Sequence, residues 1–371
     1  MARRTQGEGS AYMRKDGRAA ASVMYEGKRI TKYGKTKTEA RQKLDAYLDD
    51  LKQGRVAIGP KQTVKQYLEH WLENVHRLRI ELTTLDRYRT VLRVHLIPAF
   101  GHLQLNQLTR ERIQALYVEK LDGGLSPRRI ATLHAVLSAA LKDAVIHKLI
   151  VQNPCEYVTL PKKKKHKPHV LTSDECTRLI AAARGHRLWF MLLIALTTGA
   201  RIGELCALHW EDIDVANRRI HIHRNCAWVK GLGLIEKQPK SESGSRKVIL
   251  AQAVIDGIKE QRVYIAVLRL RSGSRWSNLD LVFPNRDGSY LDHGQVTKEL
   301  RAILAEAGID PRKFHDLRHS AATLLFAAGV NPKVVSEALG HSDISMTLGM
   351  YGDVTPDMQQ GVADVMNRLF E

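Results

Sequence analysis

The four cysteines, Cys155, Cys176, Cys206 and Cys226, are irregularly scattered and form no C-x-x-C pair. That spacing argues against a zinc ribbon and a disulfide framework and leaves reduced, buried thiols as the reading. Long apolar runs are also missing. The longest, Leu188 to Leu196, is too short to span a bilayer, and no signal peptide is recognised at the start. Acidic residues are scarce: 39 Asp+Glu stand against 58 Lys+Arg, for a formal net charge of +19 and a pI near 9.8. Such an excess favours a polyanionic partner, and without a membrane segment that partner is expected to be nucleic acid. There is no P-loop, no acidic metal-binding cluster and no internal repeat.

What is present suits two or three domains in 371 residues, with an ordinary hydrophobic content of 44% to build their cores. Residues 8–54 read as a small sheet with one helix. Asp16-Gly17 and Glu26-Gly27 are hairpin turn signals separating strands around Ala11–Arg14, Ala19–Tyr25 and Arg29–Tyr33. Thr36 and Glu39 form a capping box ahead of a helix carrying Ala40, Leu44, Tyr47, Leu48 and Leu51, with Gly54 as its stop. The strands and turns carry Arg14, Lys15, Arg18, Lys28, Arg29 and Lys32, a basic sheet that could enter a major groove or simply be a solvated face.

Residues 62–157 read as a bundle of four or five helices. Val64, Leu68, Trp71, Leu72 and Val75 form one apolar stripe; Leu85, Tyr88, Leu92 and Leu96 form another. Thr109 caps a third helix, and Ser126-Pro127 opens a fourth that is expected to run to Asn153-Pro154. Arg128, Arg129 and Lys142 fall on the bundle's outer faces. A linker over 158–170 follows, in which the run from Pro161 to His169 holds Lys162, Lys163, Lys164 and Lys165. Its plain role is a soluble tether, but in so basic a chain it is expected to lie along phosphates.

From Leu171 onward the pattern is mixed. Thr172 and Glu175 form another capping box, and "RLWFMLLIALTTGAR" is apolar nearly all round, a buried helix ended by Gly199. Alternation in "RRIHIH" and "SRKVIL" marks strands, with "KQPKSESGS" as a hairpin tip, and helices dominate thereafter.

Three polar stretches could do chemistry. In "HDLRHS", His315, Arg318 and His319 share one helix face, opposite Leu317, Ala321, Leu324 and Leu325. A zinc site would use His315 and His319, but Arg318 sets a permanent positive charge between them and the basic Glu of H-E-x-x-H is absent. Histidines beside an arginine suit an anionic oxygen better. In "TTGARIGEL", Arg201 is expected to be half-buried and held by Glu204, which by itself is an ordinary structural pair. In "LGHSDISMTLGMYGDV", His341 follows a helix end and Tyr351 stands ten residues later. A tyrosine becomes a nucleophile only where cations and a base stabilise its phenolate.

Together, Arg201 in A-R-I-G-E-L, His315-x-x-Arg318-His319, Leu339-Gly340-His341 and Tyr351, with the lysine hairpin "PKSESGSR" between them, resemble the tyrosine recombinase (phage integrase) family over the whole chain. The resemblance implies a mainly α fold with small β elements. Residues 1–57 would be a three-stranded arm-type DNA-binding domain, 62–157 a helical SAM-like core-binding domain, and 171–371 a mixed α/β catalytic domain. It also implies site-specific DNA recombination through a 3′-phosphotyrosine, with no metal and no other cofactor. Tyr351 would be the nucleophile, and Arg201 and Arg318 the clamp on the non-bridging oxygens. His315 would handle the tyrosine's proton, His341 would bond the phosphate, and Lys240 would be the general acid, with Lys237 and Lys247 as neighbouring alternatives. Glu204 and His319 would support them. Arg246, which closes the hairpin motif, is given no role. Many family members carry His two residues after the tyrosine; Asp353 stands there, outside the catalytic set.

The implied partners are core and arm sites on duplex DNA, three further copies in a tetramer, a host DNA-bending protein and an excision factor. All of these would meet in a bacterial cytoplasm. An apolar stripe in the tail, Val362, Val365, Met366, Leu369 and Phe370, is expected to pack on a neighbouring subunit or on its own domain. The competing readings are a Xer-like recombinase, disfavoured by the N-terminal segment, and a non-catalytic DNA-binding regulator.

Overall fold

A computed structural model describes residues 9–25, 28–52, 62–162, 169–229, 231–237 and 244–340. Lys163, Lys164, Lys165, Lys240, His341, Tyr351 and the tail stripe lie outside them, as do the expected stop at Gly54 and the tip of the lysine hairpin. The chain divides into two compact units, residues 1–164 and 165–371.

The first unit begins with strands β1 (Ser10–Met13), β2 (Ala19–Tyr25) and β3 (Lys28–Gly34) in an antiparallel meander. Helix α1 (Lys37–Lys52) covers one face, where Ala19, Ala21 and Val23 meet Ala40 and Leu44. Thr36 accepts the Glu39 amide at 3.2 Å, whereas the Glu39 carboxylate reaches one residue past the expected partner, to the Lys35 amide at 2.7 Å.

Four helical segments follow. Helix α2 (Val64–His70) runs on through a π turn at Trp71–His76 and a 3-10 turn at Arg77–Arg79. Helix α3 (Leu82–Val91) passes through a second π turn, Leu92–Leu96, into α4 (Ile97–Phe100). Helices α5 (Arg110–Asp122) and α6 (Pro127–Ile146) start at Thr109 and Ser126, whose side chains accept the amides of Arg112 and Arg129. Both expected stripes are inside: Val64, Leu68, Trp71, Leu72, Leu85, Leu92 and Leu96 are all buried.

Two details of the bundle differ from expectation. Helix α6 ends at Ile146, well before Asn153-Pro154, because Lys148 turns left-handed (φ 54°) and the amides of Lys148 and Leu149 fold back onto the carbonyls of Val145 and Ala144. Asn153 instead anchors the exit loop, donating to the Ser138 carbonyl at 3.1 Å. The start of the expected linker also belongs with the bundle. Val158 and Leu160 pack on its core, and Thr159 exchanges two hydrogen bonds with the Gln114 side chain.

In the second unit, α7 (Ser173–Ala182), α8 (Trp189–Thr198) and α9 (Ile202–Cys206) precede a three-stranded sheet. Its strands are β4 (Ile213–Asp214), β5 (Arg219–Ile222) and β8 (Arg246–Ile249), in the order β4-β5-β8. A separate hairpin, β6 (Asn225–Val229) with β7 (Gly233–Lys237), lies between β5 and β8 in sequence and was not expected. Then come α10 (Gln252–Ser272), α11 (His293–Glu306), α12 (Phe314–Ala327) and α13 (Pro332–Leu339). Helix α8 is buried along almost its whole length at the centre of this core and packs against α12. That contact brings the two arginine-bearing stretches together. The described fold is mainly helical with small antiparallel sheets. Among its described residues, no helix is long and apolar enough to cross a membrane.

Candidate active site

The site grows from the two ends of the α8–α12 contact. Helix α8 stops because Gly199 adopts a left-handed conformation (φ 64°, ψ 22°), and the chain turns at once into α9. Arg201 is the N-cap of α9, and Glu204 reaches back to accept its amide at 2.8 Å. The same carboxylate accepts the Arg201 guanidinium at 2.7 Å. The expected i, i+3 pair is therefore present. Arg201 keeps 37% of its side-chain surface exposed, against 7% for Glu204.

Every polar residue of "HDLRHS" has a separate task. Asp316 caps α12, accepting the Lys313 amide at 2.8 Å. Ser320 donates to the Asp316 carbonyl and accepts the buried Leu171 amide, both at 2.8 Å. Arg318 shares a helix face with His315 and His319 but is 2% exposed. Its Nη1 donates to the Gly199 carbonyl at 2.8 Å, so the same glycine ends α8 and anchors this arginine. His315 is the exposed member, and its ring meets that of His319 edge-on at 4.7 Å. Leu317 and Ala321 are buried as expected, while Leu324 and Leu325 are only half-buried.

Partial burial, and then the charges of His319, Arg318 and Arg201, hold His315 below the usual imidazole range. Burial, and then Arg318, does the same for His319 against an opposing pull from Asp316. Both rings are thus neutral near pH 7, and His315 is able to accept a proton. For Glu204, burial pushes the carboxyl up, but the hydrogen bonds and charges of Arg246 and Arg201 outweigh it and hold it below the carboxylate range.

Arg246 is the residue that the sequence reading left without a role. It begins β8 with only 5% of its side chain exposed and forks onto Glu204 at 3.2 and 2.9 Å. Its Nε donates to the Ala338 carbonyl, near the end of α13, at 2.8 Å. A signal existed: alternation in "SRKVIL" puts Arg246 on the inward face with Val248, and an inward arginine requires a carboxylate. The same alternation leaves Lys247 exposed on the opposite face, turned away from Arg246 and Glu204. Lys237 ends β7, paired through the backbone with Asn225.

Beside Arg201 and His315 opens a cleft of about 330 Å³, lined also by Gly203, Asn225, Trp228 and His293. The unexpected hairpin thus supplies one wall. Trp228 is 56% exposed there. Among the described residues, no group of three or more His, Cys, Asp or Glu side chains is arranged to hold a metal ion.

The expected DNA-contacting residues are less unified. In the N-terminal sheet, Arg29 bonds Ser22 at 3.2 Å, and Arg14 lies over the Tyr33 ring at 5.4 Å. Both stand on the face away from α1, where Tyr12, Met24 and Tyr33 are exposed. Lys32 does not join them. It pairs with Ala21, on the helix side, and its Nζ sits 3.3 Å from the centre of the Tyr47 ring. Lys15 and Arg18 are exposed around the first turn, and Lys28 pairs through the backbone with Tyr25. Arg128, Arg129 and Lys162 are exposed.

A buried arginine and a half-exposed arginine lie on adjoining elements with two histidines of lowered pKa beside them, an arrangement chemically suited to an anionic oxygen. Residues 169–358 match the phage integrase family, and residues 63–121 match the phage integrase N-terminal SAM-like domain. The chain belongs to the phage integrase family. A protein of Caldanaerobacter subterraneus subsp. tengcongensis called "Tyrosine recombinase XerC-like" is 31% identical over 365 residues, covering 93% of each chain. An integrase of Streptomyces ambofaciens is 29% identical, covering 100% of this chain and 98% of the relative. In fold, the chain is similar to the Tn1549 transposon integrase in complex with circular intermediate DNA, at a TM-score of 0.69 and 23% identity. That match covers 82% of this chain and 99% of the other. It is also similar to a lambda integrase dimer bound to a core site, at 0.59 and 19% identity, over 94% and 96%.

Proposed function

We propose that this chain is a tyrosine site-specific recombinase that integrates a phage or other mobile element by cleaving and rejoining DNA without metal or ATP. The observation that carries the proposal is that Arg201 and a neutral His315 line one cleft, with Arg318 buried close enough to His315 to lower its pKa, in a chain of the phage integrase family.

Tyr351 attacks the scissile phosphorus; the P–O3′-side product is a 3′-phosphotyrosine, and the bond to the 5′ oxygen breaks. His315 accepts the phenolic proton, and Lys240 donates a proton to the departing 5′ oxygen. Arg201 and Arg318 neutralise the non-bridging oxygens in the transition state, and His341 adds a hydrogen bond. His319 braces His315. The phosphotyrosyl ester keeps the energy of the broken bond, so attack by a 5′-hydroxyl reverses the sequence and reseals a strand.

We assign core-site binding to residues 62–157 and the catalytic domain, with Arg128, Arg129 and the lysines at 162–165 on the backbone. Arm-site binding falls to residues 1–57. The open face bearing Arg14 and Arg29 supports that assignment, with Lys15, Arg18 and Lys28 near the phosphates; Lys32, turned toward Tyr47, is the weakest member of the set. Recombination between two duplexes requires four cleavages, hence a homotetramer, assisted by a host DNA-bending protein and, for excision, a directionality factor. All of this takes place in the bacterial cytoplasm.

The deciding experiment uses a nicked suicide duplex carrying a candidate attachment core. The native chain should form a covalent protein–DNA adduct that disappears in Tyr351→Phe. An adduct that survives Tyr351→Phe disproves the nucleophile, and a native chain inert on every candidate core favours the non-catalytic regulator.

A further inference from the structure

Glu204 is shared between two arginines that reach it from different elements. Arg201 donates to it from the start of α9, and Arg246 forks onto it from β8. With the Arg201 amide included, the carboxylate accepts four hydrogen bonds, about as many as its lone pairs allow. Arg246 is itself fully engaged in two directions, since its Nε holds the Ala338 carbonyl at 2.8 Å.

An isolated Arg–Glu pair three residues apart leaves the carboxylate free to rotate with its partner. A second guanidinium gripping both oxygens fixes the carboxylate plane and, with it, the direction in which Arg201 leaves the pair. Ala338 stands three residues ahead of His341 in the chain. One side chain therefore connects the strand that follows the lysine hairpin, the acid that holds Arg201, and the helix that leads to His341. Arginine alone among the side chains supplies a planar fork together with a third donor pointing elsewhere.

We infer that Arg246 is a positioning residue for strand cleavage, acting through Glu204 to aim Arg201 at the scissile phosphate and through Ala338 to fix the end of α13. The inference rests on the reading of Arg201 as a phosphate-binding arginine. It concerns a residue that does not itself touch DNA.

The test is single-turnover adduct formation by the full chain at saturating DNA, on two versions of one nicked duplex. One has the ordinary scissile phosphodiester. The other has a methylphosphonate there, in which a neutral methyl replaces one non-bridging oxygen and removes the charge that Arg201 neutralises. Arg246→Met should slow cleavage of the phosphodiester by about 100-fold, the effect of displacing a catalytic group by about an ångström. It should slow cleavage of the methylphosphonate far less and leave affinity for the uncleaved duplex unchanged. Arg246→Lys, which keeps the charge but not the fork, should fall between native and Met. Adding Glu204→Gln to Arg246→Met should cost little more, because the two act as one unit. If Arg246→Met does not fold, Arg246→Lys carries the same two-substrate comparison.

Equal slowing on both substrates, or no slowing on either, overturns the role of Arg246 alone. A native chain that forms no Tyr351-dependent adduct overturns the recombinase reading together with it.

Discussion

Replacing Gly199 by alanine should damage this protein by two separable routes. At φ 64° an L residue is strained, which costs about 1–2 kcal/mol. A Cβ there would also lie 2.2 Å from Leu339 Cδ2 and 3.7 Å from Arg318 Cγ. The first distance forces a shift in a filled core, a further cost of about 1–3 kcal/mol. The sum is about 2–5 kcal/mol, and in a unit of this size each kcal/mol lowers Tm by about 2–4 °C. Gly329 is the internal control. It has φ 76° with nothing within 4 Å of its Cβ position, so Gly329→Ala should suffer only the backbone cost of about 1–2 kcal/mol. Thermal melts of the full chain followed by circular dichroism would compare the two. Because the Gly199 carbonyl holds Arg318, Gly199→Ala should also slow adduct formation, whereas Gly329→Ala should not. Equal melting shifts for the two variants would refute the claim that Leu339 closes tightly over the Gly199 turn.

Three further substitutions have expected outcomes. Glu204 is held below its ordinary pKa of 4.5, so its ionised form contributes stability that is fully present above that value and lost as pH falls through its folded pKa; acid unfolding of Glu204→Gln should show a weaker pH dependence there. At neutral pH the same variant should lose about 3–5 kcal/mol in denaturant titrations, because Arg246 is left buried without its carboxylate. His315 is held below 6.5 in the free protein, so at subsaturating DNA, where the free protein's pKa governs the rate, activity should be lost only as pH falls below that value, and His315→Gln should flatten this limb of the pH–rate profile. Ser320→Ala should cost about 1–3 kcal/mol by orphaning the Leu171 amide, whose hydrogen exchange should accelerate.

The elements that could be read from sequence were those fixed by local chemistry. Strand β2 occupies the expected Ala19–Tyr25, and the Thr172–Glu175 box and the Gly199 stop lie where expected. Each depends on neighbours a few residues away. The misses depend on distant partners or on backbone choices without a residue signature. Nothing in Lys148 announces a left-handed turn, and the β6–β7 run "NCAWVKGLGLIEK" lacks strict alternation. Both π turns carry ordinary helical spacing. The spacing of His315, Arg318 and His319 correctly placed them on one helix, but it could not show that Gly199 would supply an acceptor deep enough to bury Arg318. The N-terminal sheet shows the same limit: counting basic residues grouped six positions, whereas strand register turned Lys32 to the helix side and Arg29 away from it.

In the proposed reaction, the charges around the cleft would let one set of residues serve both binding and proton transfer. Arg201 and Arg246 share a single carboxylate, Glu204, and Arg318 is held by the Gly199 carbonyl instead, so three arginines are balanced by one acid, a net of two positive charges. Arg201 and Arg246 are already paired with Glu204, and Arg318 with a carbonyl, so their reorientation cost is met during folding rather than at the moment of reaction. After burial and His319, Arg318 and Arg201 also lower the pKa of His315 and keep it unprotonated in the free protein. An arriving phosphate cancels part of that positive field. The proton affinity of His315 must then rise when DNA is bound, and rise further as the phosphorane gains charge. In the proposed reaction the histidine would therefore be a weak base in the empty cleft and a stronger one when the phenolic proton has to be taken.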